Sequence, residues 1–245
     1  MKAVLLGATK GMGRALARLL AERGARLFVL GLGEEDLART AADLRVHGAS
    51  GEVGTAPCDL LDPQAFGPAL DVADRALDGF DTVIVTAGLF AGQEEFEADA
   101  ALTARMLAAN FTNTVLFCEE ARKRLLARGG GTLCAFSSVA GERARKPVIL
   151  YGAAKAGLSY YLTGLDHKFR AQGLRAIVVK PGFARTGMTA GLKPPPFAGD
   201  PGTIARTVLK AIDRGAPEVY APPIWRWVML VIRSLPRAVM RRIGF

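Results

Sequence analysis

Near its start the chain reads AVLLGATKGMGR at residues 3–14, a short apolar run followed directly by three closely spaced glycines. The apolar run is typical of a buried strand, and the residues after Gly13 have the apolar spacing of a helix. Glycines let a backbone approach a phosphate closely, and a helix N-terminus offers unpaired N–H groups with a partial positive charge. This stretch therefore predicts a dinucleotide-binding loop between a strand and a helix. A tight turn without a ligand is the alternative.

Short strand-type runs alternate with helix-type stretches along most of the chain. The expected strands are residues 3–6, 27–30, 51–58, 82–85, 132–136, 175–179 and 218–220. The expected helices are residues 13–23, 34–47, 63–77, 98–128, 151–172 and 202–214. Several strand runs are largely apolar, which is typical of strands covered on both faces. We therefore predict an α/β, single-domain Rossmann fold, in which a doubly wound parallel β-sheet carries helices on both faces.

Composition narrows the function classes only in part. The 245 residues include 32 Lys and Arg against 23 Asp and Glu, and the net charge of +9 suits an anionic ligand, an acidic lipid surface or nucleic acid. No nucleic-acid recognition motif is present, so we expect no nucleic-acid partner. Three widely spaced cysteines and two histidines without ligand-spaced partners predict neither disulfides nor a metal site. With no signal sequence apparent, we expect a cytoplasmic protein.

The predicted cofactor loop comprises Gly7, Thr9, Lys10, Gly11, Met12, Gly13 and Arg14. An acid at the end of the second strand would bind the ribose hydroxyls of NAD and repel the extra phosphate of NADP. Leu32 lies there without a charge, whereas Lys10 and Arg14 stand where that phosphate could be reached. The sequence therefore favours NADP(H) over NAD(H). Glu34 and Glu35 follow closely and keep NAD(H) open, unless they only complement the helix dipole.

A second group of residues indicates proton chemistry. Tyr151 and Lys155 are one helical turn apart, so they share a helix face, and Ser138 lies on a loop just upstream. A nearby ammonium favours an ionised phenol, so we expect the Tyr151 pKa to fall from about 10 towards neutral. The Ser138 hydroxyl can hydrogen-bond the same substrate oxygen. The trio thus predicts a carbonyl group held ready to accept a hydride.

Together these motifs resemble the classical short-chain dehydrogenase/reductase (SDR) family over about residues 2–222. The shared positions, in family order, are the glycine loop, Ala87-Gly88, Asn110, Ser138, Tyr151, Lys155 and Pro181-Gly182. The resemblance implies an NADP(H)-dependent oxidoreductase that transfers hydride between nicotinamide and a ketone or secondary alcohol. It makes Tyr151 the general acid/base, and Ser138 the group that orients the substrate oxygen. Lys155 would lower the Tyr151 pKa and hold the nicotinamide ribose, and Asn110 would hold a proton-relaying water.

The resemblance also implies further cofactor contacts. They fall on Leu32, Asp59, Leu60, Ala87, Gly88, Tyr151, Lys155, Pro181, Gly182 and Thr186. The family's threonine before the glycine loop is here Leu6, and the first two residues of its Asn-Asn-Ala-Gly motif are Val85 and Thr86. These departures put cofactor affinity in doubt more than the chemistry. Family members commonly form homo-oligomers, so we expect a dimer or tetramer paired through the helices at 98–128 and 151–172.

We divide the chain into a catalytic domain at residues 1–222, with a substrate loop at about 183–201, and a C-terminal extension at 223–245. Apolar residues in the loop predict a hydrophobic, lipid-like substrate. The extension has two tryptophans, a short apolar run and five arginines without an acid. That composition is typical of a helix lying on a membrane surface, although packing on the protein or at a subunit interface explains it equally. The apolar run is too short to span a bilayer.

Two other functions remain open from the sequence. One is an NAD-dependent alcohol dehydrogenase, which would use the same residues with the other cofactor. The second is a non-catalytic binding protein that senses a dinucleotide, although such a protein has no need of the Ser138, Tyr151 and Lys155 arrangement.

Overall fold

The computed structural model describes residues 1–244, which form one parallel β-sheet with helices on both faces. The strands are β1 Lys2–Leu6, β2 Arg26–Gly31, β3 Gly54–Pro57, β4 Thr82–Val85, β5 Gly131–Phe136, β6 Leu174–Pro181 and β7 Glu218–Ala221. Their order across the sheet is β3-β2-β1-β4-β5-β6-β7, and all neighbours run parallel. The direction of winding reverses between β1 and β4, which is where ligands bind in open α/β sheets. The predicted doubly wound fold is confirmed.

Ten α-helices connect and follow these strands within the described residues. They are α1 Gly11–Glu22, α2 Glu34–Val46, α3 Phe66–Leu77, α4 Gln93–Ala98, α5 Ala100–Leu107, α6 Asn113–Ala127, α7 Ile149–Phe169, α8 Pro201–Arg214, α9 Trp225–Ser234 and α10 Arg237–Arg242. The helix predicted at 98–128 is instead two helices joined by a π-helical turn at Ala108–Thr112. This turn widens the helix at one point and places Asn110 against the loop that follows β4.

The sheet is buried on both faces because successive side chains of a strand point to opposite sides. On β1, Val4 and Leu6 belong to one hydrophobic cluster and Ala3 and Leu5 to the other. The first cluster lies under α3, α6 and α7, and the second under α1, α2 and α8. The apolar runs noted in the sequence are therefore strands that contribute to two cores at once.

Parallel strands bring their carboxyl ends to the same edge of the sheet. The loops after the strands therefore converge there, and together with the starts of α1 and α7 they carry most of the predicted site residues. Within residues 1–244, none of the helices combines the length and the hydropathy that crossing a bilayer would require.

Candidate active site

The glycine loop has a backbone that only glycine adopts readily. Gly7 and Gly11 have φ angles of +94° and +55°, in the left-handed region. At Gly13 a Cβ atom would overlap both the Thr86 hydroxyl and the Gly7 carbonyl oxygen. The Thr86 hydroxyl donates to that carbonyl at 2.9 Å. Thr86, where the sequence departs from the family pattern, therefore fastens the loop to the end of β4.

A cavity of about 400 Å³ opens beside this loop, at the reversal between β1 and β4. The predicted cofactor residues that line it are Gly7, Thr9, Lys10, Leu32, Asp59, Leu60, Ala87 and Gly88. Of the rest, Thr186 lies beside the loop, since a Cβ on Gly11 would come within 3.5 Å of its methyl group. The glycines, the free N-terminus of α1 and the cavity together fit a dinucleotide.

An acid that was not predicted from the sequence also lines this cavity. Asp36, in the first turn of α2, lines the wall beside Leu32 and pairs with Lys10 at 2.9 Å. The Lys10 ammonium holds the Asp36 pKa below its usual value. Glu34 and Glu35, the two acids considered from the sequence, do not line the cavity. Helical periodicity could have identified Asp36, because its side chain points back over the preceding turn.

Arg14, the other predicted phosphate ligand, also has an acidic partner. It lies 3.4 Å from Asp43, which accepts two hydrogen bonds from Arg18 at 2.6 and 2.8 Å. Arg18 and Arg14 together lower the Asp43 pKa to about 2. Arg14 does not line the cavity, so of the two predicted cations only Lys10 reaches it.

The structure brings Ser138, Tyr151 and Lys155 together at the carboxyl edge of β5. The Lys155 amine is buried, donates to the Phe136 carbonyl at 2.9 Å and lies 5.7 Å from the centre of the Tyr151 ring. Burial lowers the Lys155 pKa to about 8. Ser138 accepts a hydrogen bond from the Ala140 N–H at 3.1 Å, which orients its hydroxyl oxygen.

The Tyr151 pKa differs from the expectation. Burial raises it to about 12, and the Ser138 hydroxyl opposes only part of this shift. The expected fall of the pKa towards neutral does not occur in this structure. Desolvation destabilises the phenolate by more than the hydrogen bond with Ser138 stabilises it. The phenol is therefore neutral at physiological pH and suited to give up a proton to an oxygen on which charge develops.

The Asn110 side chain is hydrogen-bonded to the loop after β4. This side chain is fully buried and bonds both backbone groups of Leu89, accepting from the N–H at 2.8 Å and donating to the carbonyl at 2.6 Å. A Cβ on Gly88 would lie 2.8 Å from Oδ1, the side-chain amide oxygen of Asn110. The Asn110 side chain thus fixes the loop after β4, and a proton-relaying water there stays a prediction.

Two aromatic residues complete the site, and the sequence analysis assigned neither to it. The Phe90 ring packs edge-on against the Tyr151 ring at 5.0 Å, so the loop after β4 also holds the phenol in place. Trp225, the first residue of α9, is buried and occupies the space that a side chain on Gly182 would need. Its indole N–H donates to the Phe197 carbonyl at 3.2 Å. Predicted residue Gly182 therefore lies beneath the C-terminal extension, and Pro181 directly precedes it at the end of β6.

Known proteins resemble this chain along nearly all its length. The sequence profile of a family described as "short chain dehydrogenase" matches residues 1–196. An uncharacterized oxidoreductase of Streptomyces coelicolor is 35% identical over 250 residues, which cover 98% of this chain and 94% of that protein. The cis-4-hydroxycyclohexanecarboxylate dehydrogenase of Sinomonas cyclohexanicum is 31% identical over 193 residues, or 78% of this chain and 76% of that protein.

Solved structures agree on the fold. A variant of actinorhodin polyketide ketoreductase with NADPH superposes with a TM-score of 0.80 at 23% identity, over 89% of this chain and 95% of that one.

Among the described residues, no group of three or more His, Cys, Asp or Glu side chains is placed to hold a metal ion.

Proposed function

We propose, from the premise that this chain belongs to the short-chain dehydrogenase family, that it is an NADP(H)-dependent reductase of apolar ketones. Family membership makes it an oxidoreductase acting on CH–OH or C=O groups. The observation that carries the proposal is the position of the Tyr151 phenol beside Ser138 and the Lys155 ammonium, which lies 5.7 Å from the centre of the phenol ring. A proton donor of this kind suits the reduction of a carbonyl, where an oxygen gains negative charge and must be protonated.

The chain's own residues account for the proton chemistry. When bound, the dinucleotide would supply or accept a hydride at its nicotinamide ring. Tyr151 would donate its proton to the substrate oxygen, while the Ser138 hydroxyl hydrogen-bonds that oxygen and fixes its position. The Lys155 ammonium, held by the Phe136 carbonyl, would stabilise the phenolate that remains. Burial of the Lys155 amine strengthens its interaction with the phenolate, because little water reaches the ammonium.

Lys10, the cation of the glycine loop that lines the cavity, supports NADP(H) as the cofactor. Lys10 is exposed and flexible enough to leave Asp36 for a phosphate, which carries more charge than a carboxylate. Asp36 itself favours the second candidate, an NAD-dependent alcohol dehydrogenase, since a carboxylate at this end of the cavity can accept hydrogen bonds from ribose hydroxyls. The two candidate functions predict different changes in cofactor affinity when the Asp36 charge is removed.

Calorimetric titration with NADPH and NADH distinguishes them. Under our proposal, Asp36→Asn frees Lys10 and tightens NADPH binding several-fold, whereas Lys10→Ala weakens it by about tenfold, or about 1.4 kcal/mol. Glu35→Gln is the matched control, because Glu35 is exposed on the same helical turn and does not line the cavity. Loss of NADH binding in Asp36→Asn, with NADPH binding unchanged, would instead support the NAD reading.

Apolar groups near the site support a hydrophobic substrate. Met188, Leu192 and Phe197 are all exposed on the loop between β6 and α8. Two proteins similar to this chain are a polyketide ketoreductase and a dehydrogenase of a hydroxycyclohexane carboxylate. A screen of NADPH oxidation over ketones of increasing chain length tests the assignment. We expect kcat/KM to rise with apolar chain length, and Tyr151→Phe to be inactive on every ketone.

We also propose that the chain forms a homo-oligomer through α6 and α7. Phe111, Leu116 and Tyr160 expose apolar surface on and beside these helices, and Tyr160 has 86% of its surface accessible. Tyr160→Glu would place a charge in such an interface and should reduce the molar mass measured by light scattering. An unchanged mass would place the interface elsewhere.

A further inference from the structure

Helix α9 has apolar residues on two faces, and only one of them is covered. Trp225 and Met229 are 8% and 0% exposed and pack in one cluster with Val139 and Tyr220. The opposite face carries Ile224, Trp227, Leu230 and Val231, and the last three are 63%, 56% and 64% exposed. We call these four residues the tail face. Packing on the protein explains the first face and leaves the tail face uncovered by any part of residues 1–244.

The surroundings of the tail face are basic. Residues 219–245 contain no acid, and the arginines among them are Arg226, Arg233, Arg237, Arg241 and Arg242. Arg237 and Arg241 also line a surface groove of about 730 Å³ together with Arg143, Arg145 and Lys146. The acid of that groove, Glu142, is already paired with Lys180 at 2.6 Å and with Arg233 at 3.2 Å. The segment that carries the tail face thus has more arginines than acidic partners.

Helix α9 is also joined to the substrate side of the active site through its buried face. Trp225 connects α9 to the loop between β6 and α8 through its hydrogen bond to the Phe197 carbonyl. The Phe197 side chain is itself exposed. The buried face of α9 is therefore attached to the loop next to the predicted substrate entrance.

We propose that the tail face binds the surface of an anionic lipid bilayer. Trp227 would lie at the headgroup level, Leu230 and Val231 would enter the acyl boundary, and the arginines would meet lipid phosphates. An aromatic ring, aliphatic side chains and arginines without acids are the combination that such an interface requires. A second copy of this chain fits less well, because a symmetric contact would bring the same arginines against each other. The enzyme would then reach apolar substrates dissolved in the bilayer.

Vesicle flotation of the full chain tests this proposal independently of catalysis. We expect the protein to float with vesicles of 70% phosphatidylcholine and 30% phosphatidylglycerol, and to remain unbound with phosphatidylcholine alone. The double variant Trp227→Ser/Leu230→Ser should lose at least ten-fold in bound fraction. Val46→Ser is the matched control, because Val46 is an exposed apolar residue at the end of α2 and far from α9 in sequence. NADPH binding should be unchanged in both.

Two further measurements separate the outcomes. Trp227 is the exposed one of two tryptophans, so binding should shift the fluorescence of the wild type to the blue and that of Trp227→Phe much less. Arg237→Glu/Arg241→Glu should also reduce flotation, and added salt should weaken binding by screening the charges. Equal flotation of wild type and Trp227→Ser/Leu230→Ser would overturn the proposal. Failure of the wild type to float would also overturn the proposal. If the Trp227→Ser/Leu230→Ser variant then forms a smaller oligomer than the wild type, the tail face is a subunit interface.

Discussion

Replacing Lys155 with methionine should stabilise the cofactor-free protein while abolishing its activity. Burial lowers the Lys155 pKa from its ordinary 10.5 to about 8, which corresponds to roughly 3 kcal/mol of unfavourable free energy for the charged form. Methionine has similar length and no charge, so it removes this cost. It also leaves the Phe136 carbonyl without its hydrogen bond at 2.9 Å, a loss of about 1 to 2 kcal/mol. The balance is a gain of roughly 1 to 2 kcal/mol at pH 7.

The pH dependence of this gain identifies its cause. The folded protein releases the Lys155 proton near pH 8 and the unfolded chain near 10.5, since burial lowers the pKa only in the folded state. Between these values the unfolded chain holds more protons, so the wild type gains stability as the pH rises. The charge-burial part of the advantage is therefore fully present below pH 8 and is lost as the pH approaches 10.5, where the missing hydrogen bond to the Phe136 carbonyl leaves Lys155→Met the less stable protein.

Urea denaturation at pH 7.0 and pH 9.5, at one fixed protein concentration, measures both effects. Lys146→Met is the control, because Lys146 is exposed near the start of the same helix. We expect Lys155→Met to unfold at higher urea than the wild type at pH 7.0, with a smaller difference at pH 9.5. A variant less stable than the wild type at pH 7.0, or a difference that does not change with pH, would refute the reasoning. The result expected here would show that Lys155 is retained at a cost to stability.

Three other changes test the remaining parts of the site. Tyr151→Phe removes the proton donor and leaves the cavity intact, so kcat should fall by about 10²- to 10⁴-fold while the NADPH Kd stays constant; retained turnover would reject the assigned role. The rate of NADPH oxidation should be level near neutral pH and decline as the pH rises through about 8, because burial lowers the pKa of Lys155 to that value; a rate unchanged up to pH 10 would contradict this. Asn110→Ala loses both hydrogen bonds to Leu89 and should lower the free energy of unfolding by about 2 kcal/mol, with faster hydrogen exchange at Leu89 itself. Equal exchange at that amide in both proteins would remove the fixing role from Asn110.

The sequence predicted the sheet well because its strands are defined by local patterns. Residues 3–6 and 82–85 are short apolar runs bounded by loops, and a strand buried on both faces needs nothing more to be recognised. The helix boundaries were less predictable where the determining contact is distant in sequence. The π-helical turn at Ala108–Thr112 depends on Asn110 meeting the backbone of Leu89, twenty-one residues away. No periodicity in residues 98–128 encodes that contact.

The candidate site shows the same division. Ser138, Tyr151 and Lys155 were predictable because their spacing within one loop and one helix already brings them together. Their pKa values were not predictable, because burial dominates both and burial is a property of the packed molecule. Asp36, by contrast, could have been identified from helical periodicity, and only its contact with Lys10 required the packed structure.

The C-terminal extension is the part for which the structure changes the interpretation most. Glu142, four residues after Ser138, accepts from the Tyr220 hydroxyl at 2.8 Å and pairs with Lys180 and Arg233. Burial alone would raise the Glu142 pKa, but the hydrogen bonds from Lys180 and Tyr220 outweigh it and keep the carboxylate charged.

This charged cluster joins the loop after β5 to β6, β7 and α9, and Val139 packs beside it against Trp225 and Met229. A boundary at residue 222 therefore separates residues that are continuous in space. Helix α9 therefore packs directly against Val139, the residue next to Ser138.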